Sequence, residues 1–500
     1  MNSIRREQHT PNVVDRIQQQ VGYHAEILCY FLLVVAFCLA LTYHVEIDLN
    51  GDDIRKWEMA LQASVGNFSY MNFSGVIDPH HYMRWGSWLP ATLAIKLFGN
   101  SPSTYVVWNA TNYFIALLLL TSLVFRYLAT VKVANKWAIP FIYLVMLTDP
   151  NLNWAASQFM PSNHSILPLS IAFITTVRLI QRQTYLRIFS TAIALFWLYG
   201  VKETNALIFP IFFITIALAT NLKTTIKLAL ITAPLPILEN LLLFLANPEL
   251  GLLPRFNYHL NVLPERFTIG PNPPSYQRTI DKYFDSGIYF RWHKLKDTVG
   301  WIYFLSLLAS IFVFSRLDGR KKTVTHHSVG FLFFGSFLMH GMLISIPISG
   351  NPLWFTDRYL LTILPVAYFC LILATPHLEN PVRWTPVTSV TAVFLFYLML
   401  APNAQGLAWQ NRKSTFGYGD CLDEYTHAVN RNFCFTEQTS RRFPWKHIFY
   451  QNFFMEYEKR PPNFDAVMSK RPTSTKNGKL HEVTFPPSCD SPLPFQSCFN

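Results

Sequence analysis

The sequence contains few charged residues. Asp, Glu, Lys and Arg make up 14% of its 500 residues, whereas about 25% is typical of soluble domains. Hydrophobic residues account for 51% of the chain and aromatic residues for 16%. This balance excludes an ordinary soluble domain and predicts a chain embedded in lipid.

Several motifs are also absent from the sequence. It contains no internal repeat, heptad run, Walker loop or dinucleotide fingerprint, which argues against a P-loop nucleotide hydrolase and a Rossmann enzyme. The first apolar run is longer than a signal-peptide core, and no A-x-A cleavage site follows it. We therefore expect this run to be a helix of the mature protein.

Long apolar runs recur along most of the chain. A hydrocarbon core about 30 Å thick is crossed by about 20 helical residues, so the runs predict an all-α polytopic membrane protein with about eleven transmembrane helices. The third and fifth predicted spans are short. The spans lie at 26–45, 105–125, 137–149, 162–178, 187–201, 205–221, 226–246, 299–315, 329–347, 357–375 and 386–402.

The formal net charge of +12 is distributed over alternate loops. The positive-inside rule therefore places residues 1–25 in the cytoplasm and the C-terminus outside. Anionic lipid headgroups explain this basic face, and we expect no nucleic-acid partner. The basic residues concerned are Arg5, Arg6, Arg16, Arg126, Lys132, Lys136, Arg178, Arg182, Arg187, Lys223, Lys227, Arg316, Arg320, Lys321, Lys322 and Arg383.

This topology divides the chain into three regions. The cytoplasmic segment 1–25 precedes a transmembrane domain at 26–402, whose larger external loops are 46–104 and 247–298. The region 403–500 is a small external tail with four of the seven cysteines, Cys421, Cys434, Cys489 and Cys498. An oxidising compartment predicts two disulfides among these four, and all three connectivities stay open.

The first external loop is unusually rich in polar side chains. Asp52 and Asp53 follow the first span directly, where solvated acids or acids at a helix N-terminus are the simplest interpretation. The stretch "DPHHYMRW" then places Asp78, two histidines and Arg84 within seven residues. A loop that only connects two helices has little need of this density.

These stretches resemble the first external loop of the GT-C glycosyltransferase superfamily. The resemblance consists of D-D-x-x-x-x-x-x-A, then H-x-x-R, then L-x-x-x-L-F-G-x-S-P, and it extends to "LYGVKETNALIFP" at 198–210 and "DRYLLTILPVA" at 357–367. It covers roughly the first 400 residues. Many members have an Asp-Glu pair where this chain has Asp-Asp, so both acids are candidates. Members include the protein O-mannosyltransferases and the lipid A aminoarabinose transferases.

The resemblance implies a GT-C-like domain that moves a sugar from a polyprenyl-phosphate carrier to an acceptor hydroxyl on the external face, with inversion. It assigns the general base to Asp52, with Asp53 as the alternative. Cationic side chains would stabilise the departing phosphate, and histidines would bind the sugar or the phosphate. The residues implied for these two roles are Arg84, Lys202, Arg358, His80 and His81.

Simpler interpretations stay open for several of these residues. Lys202 could reach the headgroups or pair with Glu203, and Arg358 could pair with its neighbour Asp357. Two further candidates rank lower. Glu239 lies inside a proline-broken span, and Arg255 lies in the proline-rich loop 247–298, from which Arg266 and Arg291 could also reach a phosphate.

No cofactor or metal is required by this chemistry. The pair His80 and His81, together with Asp78 or Asp52, offers ligands for a divalent cation. Adjacent histidines seldom ligate one ion together, so hydrogen bonding to the substrate is the favoured interpretation. A divalent cation stays open as the alternative.

Two other function classes fit eleven spans. A transporter or lipid flippase is expected to show repeated halves, and a glycan polymerase or ligase is expected to carry its key residues in a large late loop. The expected partners are a polyprenyl-phosphate-linked sugar, membrane lipids, and a glycan, lipid or protein acceptor. The expected location is a bacterial inner membrane, with the endoplasmic reticulum membrane as the alternative.

Overall fold

The computed structural model describes residues 13–42, 51–68, 72–73, 76–77, 79–129, 138–149, 152, 156, 158–257, 305–306, 308–309, 324–345 and 362–375. This part of the chain is helical apart from a short antiparallel pair, β1 (Asn72–Phe73) and β2 (Val76–Ile77). Short 3₁₀ turns lie at Glu203–Ile208 and Pro248–Leu250. The helices are α1 (Val13–Thr42), α2 (Gly51–Ser64), α3 (Pro79–Tyr82), α4 (Trp85–Phe98), α5 (Pro102–Leu128), α6 (Ala138–Thr148), α7 (Pro161–His164), α8 (Ile166–Gln181), α9 (Tyr185–Val201), α10 (Phe209–Ala219), α11 (Leu222–Thr232), α12 (Leu235–Ala246), α13 (Pro254–Asn257), α14 (Val324–Ser345) and α15 (Leu364–Ala374).

Four stretches of helix are long and apolar enough to cross a membrane. They cover His24–Leu41, Ser103–Leu128, Pro161–Gln181 and Leu222–Ala246. Shorter apolar helices lie at five further predicted spans, including the third and the fifth, which were predicted to be short. These helices support a polytopic membrane protein, while the predicted number of eleven stays a prediction. The last predicted span, nearly all of the span at 299–315 and the tail 403–500 lie outside the described residues.

The surface of the helices has the character expected of a lipid-facing bundle. Large apolar side chains project outward, among them Phe31, Leu186, Leu218 and Leu230. Such an extended apolar exterior is unfavourable in water and favourable in hydrocarbon. Inside the bundle, aromatic rings pack closely, as Phe173 and Phe333 do with a centroid distance of 4.8 Å.

Two loops predicted to share the cytoplasmic side meet at one end of the bundle. The Gln183 carboxamide oxygen accepts hydrogen bonds from the Asn221 side chain at 2.9 Å and from the Thr224 hydroxyl at 2.8 Å. Next to them, the Lys227 ammonium donates to the Tyr185 hydroxyl at 3.1 Å. The structure thus brings these two loops together, and which side of a membrane they face is a separate prediction.

The seventh predicted span is two helices in the structure. The helix α11 ends at Thr232, and α12 begins at Leu235 after a two-residue turn. The turn contains Pro234, and a second proline, Pro236, is the second residue of α12. Proline removes a backbone donor and clashes with the preceding turn, which explains the break.

Candidate functional site

The acidic pair lies in the first turn of α2. Asp52 and Asp53 directly follow Gly51, where the helix begins, and carboxylates are favoured there by the helix dipole. Their side chains lie outside the described residues. From Lys56 to Ala63, one turn further along, every residue of the helix is buried. The helix sits within the fold, so the backbone of the acidic pair belongs to a packed helix rather than to a loose loop.

Aromatic packing explains why α2 is held so firmly. The Trp57 indole donates a hydrogen bond of 2.9 Å to the Asn100 side-chain oxygen just before α5. The Trp57 ring also meets Tyr105 and Phe159 edge-on, at centroid distances of 4.9 and 5.2 Å. Such aromatic pairs contribute about 0.5–1.5 kcal/mol each beyond their burial.

The H-x-x-R stretch forms α3 and the junction to α4. His81 is buried, whereas the side chain of His80 lies outside the described residues. At the junction, the Arg84 guanidinium binds Glu203 in two places, Nε to Oε2 at 3.1 Å and NH2 to Oε1 at 2.7 Å. The two side chains are 11% and 16% exposed. Glu203, which the sequence offered as one alternative partner for Lys202, forms an ion pair with Arg84.

Two glycines allow the first loop to approach the end of α9. A β-carbon on Gly86 would lie 2.5 Å from the backbone nitrogen of Val201, and one on Gly200 would lie 2.5 Å from the Trp85 ring. In addition, the Trp197 indole donates to the Gly86 carbonyl at 2.9 Å. The close contact brings Arg84 to the "GVKET" segment.

Lys202 lies directly after α9 and is buried. Its ammonium nitrogen is 3.5 Å from the Ser162 hydroxyl of α7. Nearby, the Asn205 carboxamide donates to the Ser165 hydroxyl at 2.8 Å. The "GVKET" segment therefore meets the segment 161–165, which sequence reasoning did not select.

The segment 161–165 also contacts two other parts of the chain. The Thr362 hydroxyl donates to the Ser162 carbonyl at 3.2 Å, and one ring nitrogen of His164 lies 2.9 Å from the Asn109 side-chain oxygen. Arg358 lies outside the described residues, four positions before Thr362. Thr362, in the described part of the "DRYLLTILPVA" segment, thus lies at the same end of the bundle as Lys202.

A second ion pair is more deeply buried. The Arg255 NH2 group lies 2.8 Å from Glu239 Oε1, and both side chains are 2% exposed. Arg255 also donates to the Met83 carbonyl, and the Trp85 indole donates to Glu239. Arg255 and Glu239, which were lower-ranked candidates, thus bind the residues on either side of Arg84.

Tyr82, the last residue of α3, is hydrogen-bonded to the segment that precedes the helix. Its hydroxyl donates to the Phe68 carbonyl at 2.5 Å, and the carbonyl of Tyr82 accepts from the Trp88 indole at 2.8 Å. Burial raises the pKa of Tyr82 to about 12 because the phenolate would lose its solvation. Tyr82 therefore stays protonated and donating throughout the ordinary pH range.

Other buried polar residues at this end were missed by sequence reasoning. The Tyr368 hydroxyl donates to the buried Asp149 carboxylate at 2.6 Å, and His340 is buried within α14. His340 lies within a predicted span and Asp149 at the end of another. The rule that ionisable residues within membrane segments are functional candidates would have selected both.

Among the described residues, no group of three or more His, Cys, Asp and Glu side chains is placed to hold a metal ion. The arrangement does gather cationic and hydrogen-bonding groups from the first loop, from the ends of α9 and α12 and from the segment before α15. These groups can bind an anionic or polyhydroxylated ligand. Comparisons of the chain with protein-family models, with curated proteins and with solved structures give no match.

Proposed function

We propose that this protein is a membrane glycosyltransferase that moves a sugar from a polyprenyl-phosphate carrier to an acceptor hydroxyl. The observation that carries the proposal is the pairing of Arg84 with Glu203, which are 119 residues apart in sequence. It joins two of the stretches on which the resemblance to GT-C enzymes rests. The third stretch reaches the same end through Thr362.

The proposed reaction is a single displacement. The acceptor oxygen attacks the anomeric carbon, its proton passes to the Asp52 carboxylate, and the bond from the sugar to the phosphate oxygen breaks. General-base assistance of this kind contributes about 10²–10⁴-fold. Asp53 orients the acceptor or exchanges roles with Asp52, and the configuration at the anomeric carbon inverts.

Cationic side chains stabilise the phosphate that departs with the lipid. Lys202 and Arg84 lie at the same end of the bundle, and we assign Arg358 to the same task. Charge-assisted hydrogen bonds to phosphate are stronger than neutral ones because the charge develops where fixed donors already point. His80 and His81 bind the sugar or the phosphate in this proposal, and a divalent cation is not required.

The same proposal includes a complete topology. Eleven spans with a cytoplasmic N-terminus place the acidic pair and both larger loops outside, at the surface where a lipid carrier presents its sugar. The tail 403–500 then lies outside as well and contributes to the choice of acceptor. A bacterial inner membrane is the proposed location, and the endoplasmic reticulum membrane is the alternative.

The decisive experiment uses purified protein in liposomes with radiolabelled polyprenyl-phosphate sugars, one sugar at a time. Asp52→Asn is expected to lower transfer by at least about 10²-fold, and Asp53→Asn by less. Glu249→Gln is a matched control, because Glu249 is an exposed carboxylate on the 3₁₀ turn after α12. Melting temperatures of all variants exclude unfolding as the cause.

Two results would contradict the proposal in different ways. Wild-type protein that consumes none of the donors is not a polyprenyl-phosphate-dependent transferase. Donor that crosses the bilayer without forming product indicates a flippase instead. Near-normal transfer by both single Asn variants and by the double variant would leave the acids as the helix-terminal residues of the simpler interpretation.

A further inference from the structure

The buried ion pair between Glu239 and Arg255 is placed beside the proposed phosphate-binding residue Arg84. Glu239 belongs to α12 and Arg255 to α13, and their side chains meet at 2.8 Å with 2% exposure each. A buried ion pair contributes little net stability, because the loss of hydration offsets most of the attraction. Its presence is better explained by the contacts that it makes.

Both members of the pair form hydrogen bonds with the sequence neighbours of Arg84. The Arg255 guanidinium donates to the carbonyl of Met83, the residue before Arg84. The indole of Trp85, the residue after Arg84, donates to Glu239. The chain is therefore held on each side of Arg84 by one partner of a single ion pair, through the Met83 carbonyl on one side and the Trp85 indole on the other.

The pair is itself fixed to the bundle. The Arg255 guanidinium lies over the Tyr199 ring of α9 at 4.4 Å from its centroid, and the Arg255 backbone N–H donates to the Asn240 side-chain oxygen at 2.8 Å. Arg84 stands at the junction of α3 and α4, with φ −83° and ψ 44°. Its direction therefore depends on how residues 83 and 85 are held.

We propose that Glu239 and Arg255 are positioning residues that orient the Arg84 guanidinium toward the departing phosphate. The inference rests on the proposed function, in which Arg84 stabilises that phosphate. In this role neither Glu239 nor Arg255 needs to contact the substrate. They act through the backbone contacts at Met83 and the indole contact at Trp85.

Three substitutions test separately the contacts that Glu239 and Arg255 make with each other, with Trp85 and with Met83. Trp85→Phe retains an aromatic ring and the ion pair but removes the indole donor. Glu239→Gln retains a side-chain oxygen for Trp85 but removes the negative charge. Arg255→Lys retains the positive charge but shortens the reach to the Met83 carbonyl. Tyr185→Phe is the matched control, because it removes an exposed side-chain hydrogen bond at the opposite end of the bundle.

The test is a double-mutant cycle measured as kcat and KM for sugar transfer in liposomes. Each of the three substitutions is made with Arg84 present and with Arg84→Ala. With Arg84 present, we expect kcat to fall roughly 10-fold or more, as for a displaced catalytic group, with acceptor KM nearly unchanged. With Arg84→Ala, we expect no further loss, because the substituted residues act only through Arg84. Independent losses that multiply would overturn the inference.

A second measurement does not depend on activity. Hydrogen exchange of the backbone amides at residues 83–87 should accelerate in Trp85→Phe and Arg255→Lys and stay unchanged in Tyr185→Phe. Unchanged exchange in all variants would overturn the inference even where kcat falls. If the wild-type protein transfers no sugar, the proposed function fails, and this exchange measurement alone decides whether the pair holds the Arg84 backbone.

Discussion

Gly86 and Gly200 meet with almost no space between them. A β-carbon on Gly86 would lie 2.7 Å from the carbonyl carbon of Gly200, a distance that real side chains do not adopt. The contact presses the start of α4 against the end of α9. It is one of the points at which the first loop, which contains the acidic pair and Arg84, packs against the bundle.

We therefore predict that Gly86→Ala lowers both the melting temperature and sugar transfer. The added methyl group meets backbone atoms of Val201 and Gly200, which have no side-chain freedom to yield, and such overpacking costs about 1–3 kcal/mol. The matched control is Gly330→Ala in α14, where the nearest atom to the new carbon is a Phe334 ring carbon at 4.0 Å. The control should be as stable as the wild type or more so by about 0.5–1 kcal/mol. Equal melting temperatures for the wild type and Gly86→Ala would show that the contact does not fix the first loop.

Local features of the fold could be predicted from the sequence because they depend on neighbouring residues. The apolar run at 105–125 predicts α5, and Pro102 with the capping hydroxyl of Ser101 explains where that helix begins. The acids of "GDDIRKWEMA" predict the N-terminus of a helix, and α2 begins at Gly51. In these stretches hydrophobic length and helix capping are sufficient.

The candidate site could be predicted only in part, because its contacts join distant segments. Nothing near Arg255 in sequence indicates that it is buried against Glu239 and reaches a carbonyl 172 residues away. Its proline-rich surroundings suggested an irregular loop instead. Similarly, the position of Glu203 directly after Lys202 offers a local pair as one alternative, but nothing nearby in sequence indicates the ion pair that Glu203 forms with Arg84. Only the tertiary packing decides between such partners.

The raised pKa of Tyr82 predicts a loss of stability at high pH. Burial raises the pKa to about 12 from an ordinary value of 10.0, so the folded state retains a proton that the unfolded state releases. Stability from this group is complete below pH 10 and is lost as the pH rises toward 12, by about 2–3 kcal/mol.

Tyr82→Phe should therefore reduce the alkaline loss of stability by this amount. At neutral pH, the variant should be less stable than the wild type by about 1 kcal/mol, because the hydrogen bond to the Phe68 carbonyl is absent. The measurement is the free energy of reversible unfolding in detergent, for the wild type and Tyr82→Phe, between pH 8 and 12. Tyr185→Phe should not reduce the alkaline loss, because Tyr185 is exposed and lies next to Lys227. An unchanged pH profile for Tyr82→Phe would show that the Tyr82 hydroxyl is solvated.

The predicted orientation can be tested with the native cysteines of the tail. Cys421, Cys434, Cys489 and Cys498 should react with a membrane-impermeant maleimide in intact cells, and only after reduction, because an oxidising compartment pairs them. The cysteine introduced by Asp318→Cys, in a variant whose seven native cysteines are all replaced, should react only after the membrane is permeabilised. Reaction of Asp318→Cys in intact cells would reverse the orientation. Labelling of four tail thiols without reductant would instead refute the disulfides.

Arg84 and Glu203 allow the charge of Arg84 to be separated from the structural role of the ion pair. Arg84→Ala removes the guanidinium that is proposed to donate hydrogen bonds to the departing phosphate, and it leaves Glu203 without this partner. Both kcat and stability should therefore fall. Losing one well-placed donor to a developing oxyanion costs about 10²–10³-fold in kcat. Glu203→Gln keeps the guanidinium and a side-chain oxygen that can accept from it.

We therefore expect Glu203→Gln to retain most of the transfer activity, while its melting temperature falls as far as that of Arg84→Ala or somewhat less. The loss of one charge-assisted pair corresponds to about 1.5–3 kcal/mol. Arg84→Lys should be intermediate in kcat, because it preserves the charge but cannot form the two parallel hydrogen bonds seen with Glu203. The measurement is kcat, KM for the lipid donor and melting temperature of all three variants under one set of conditions. Equal losses of kcat in Glu203→Gln and Arg84→Ala would mean that the pair serves only to fasten the first loop to α9, and that the departing phosphate is stabilised by other cations.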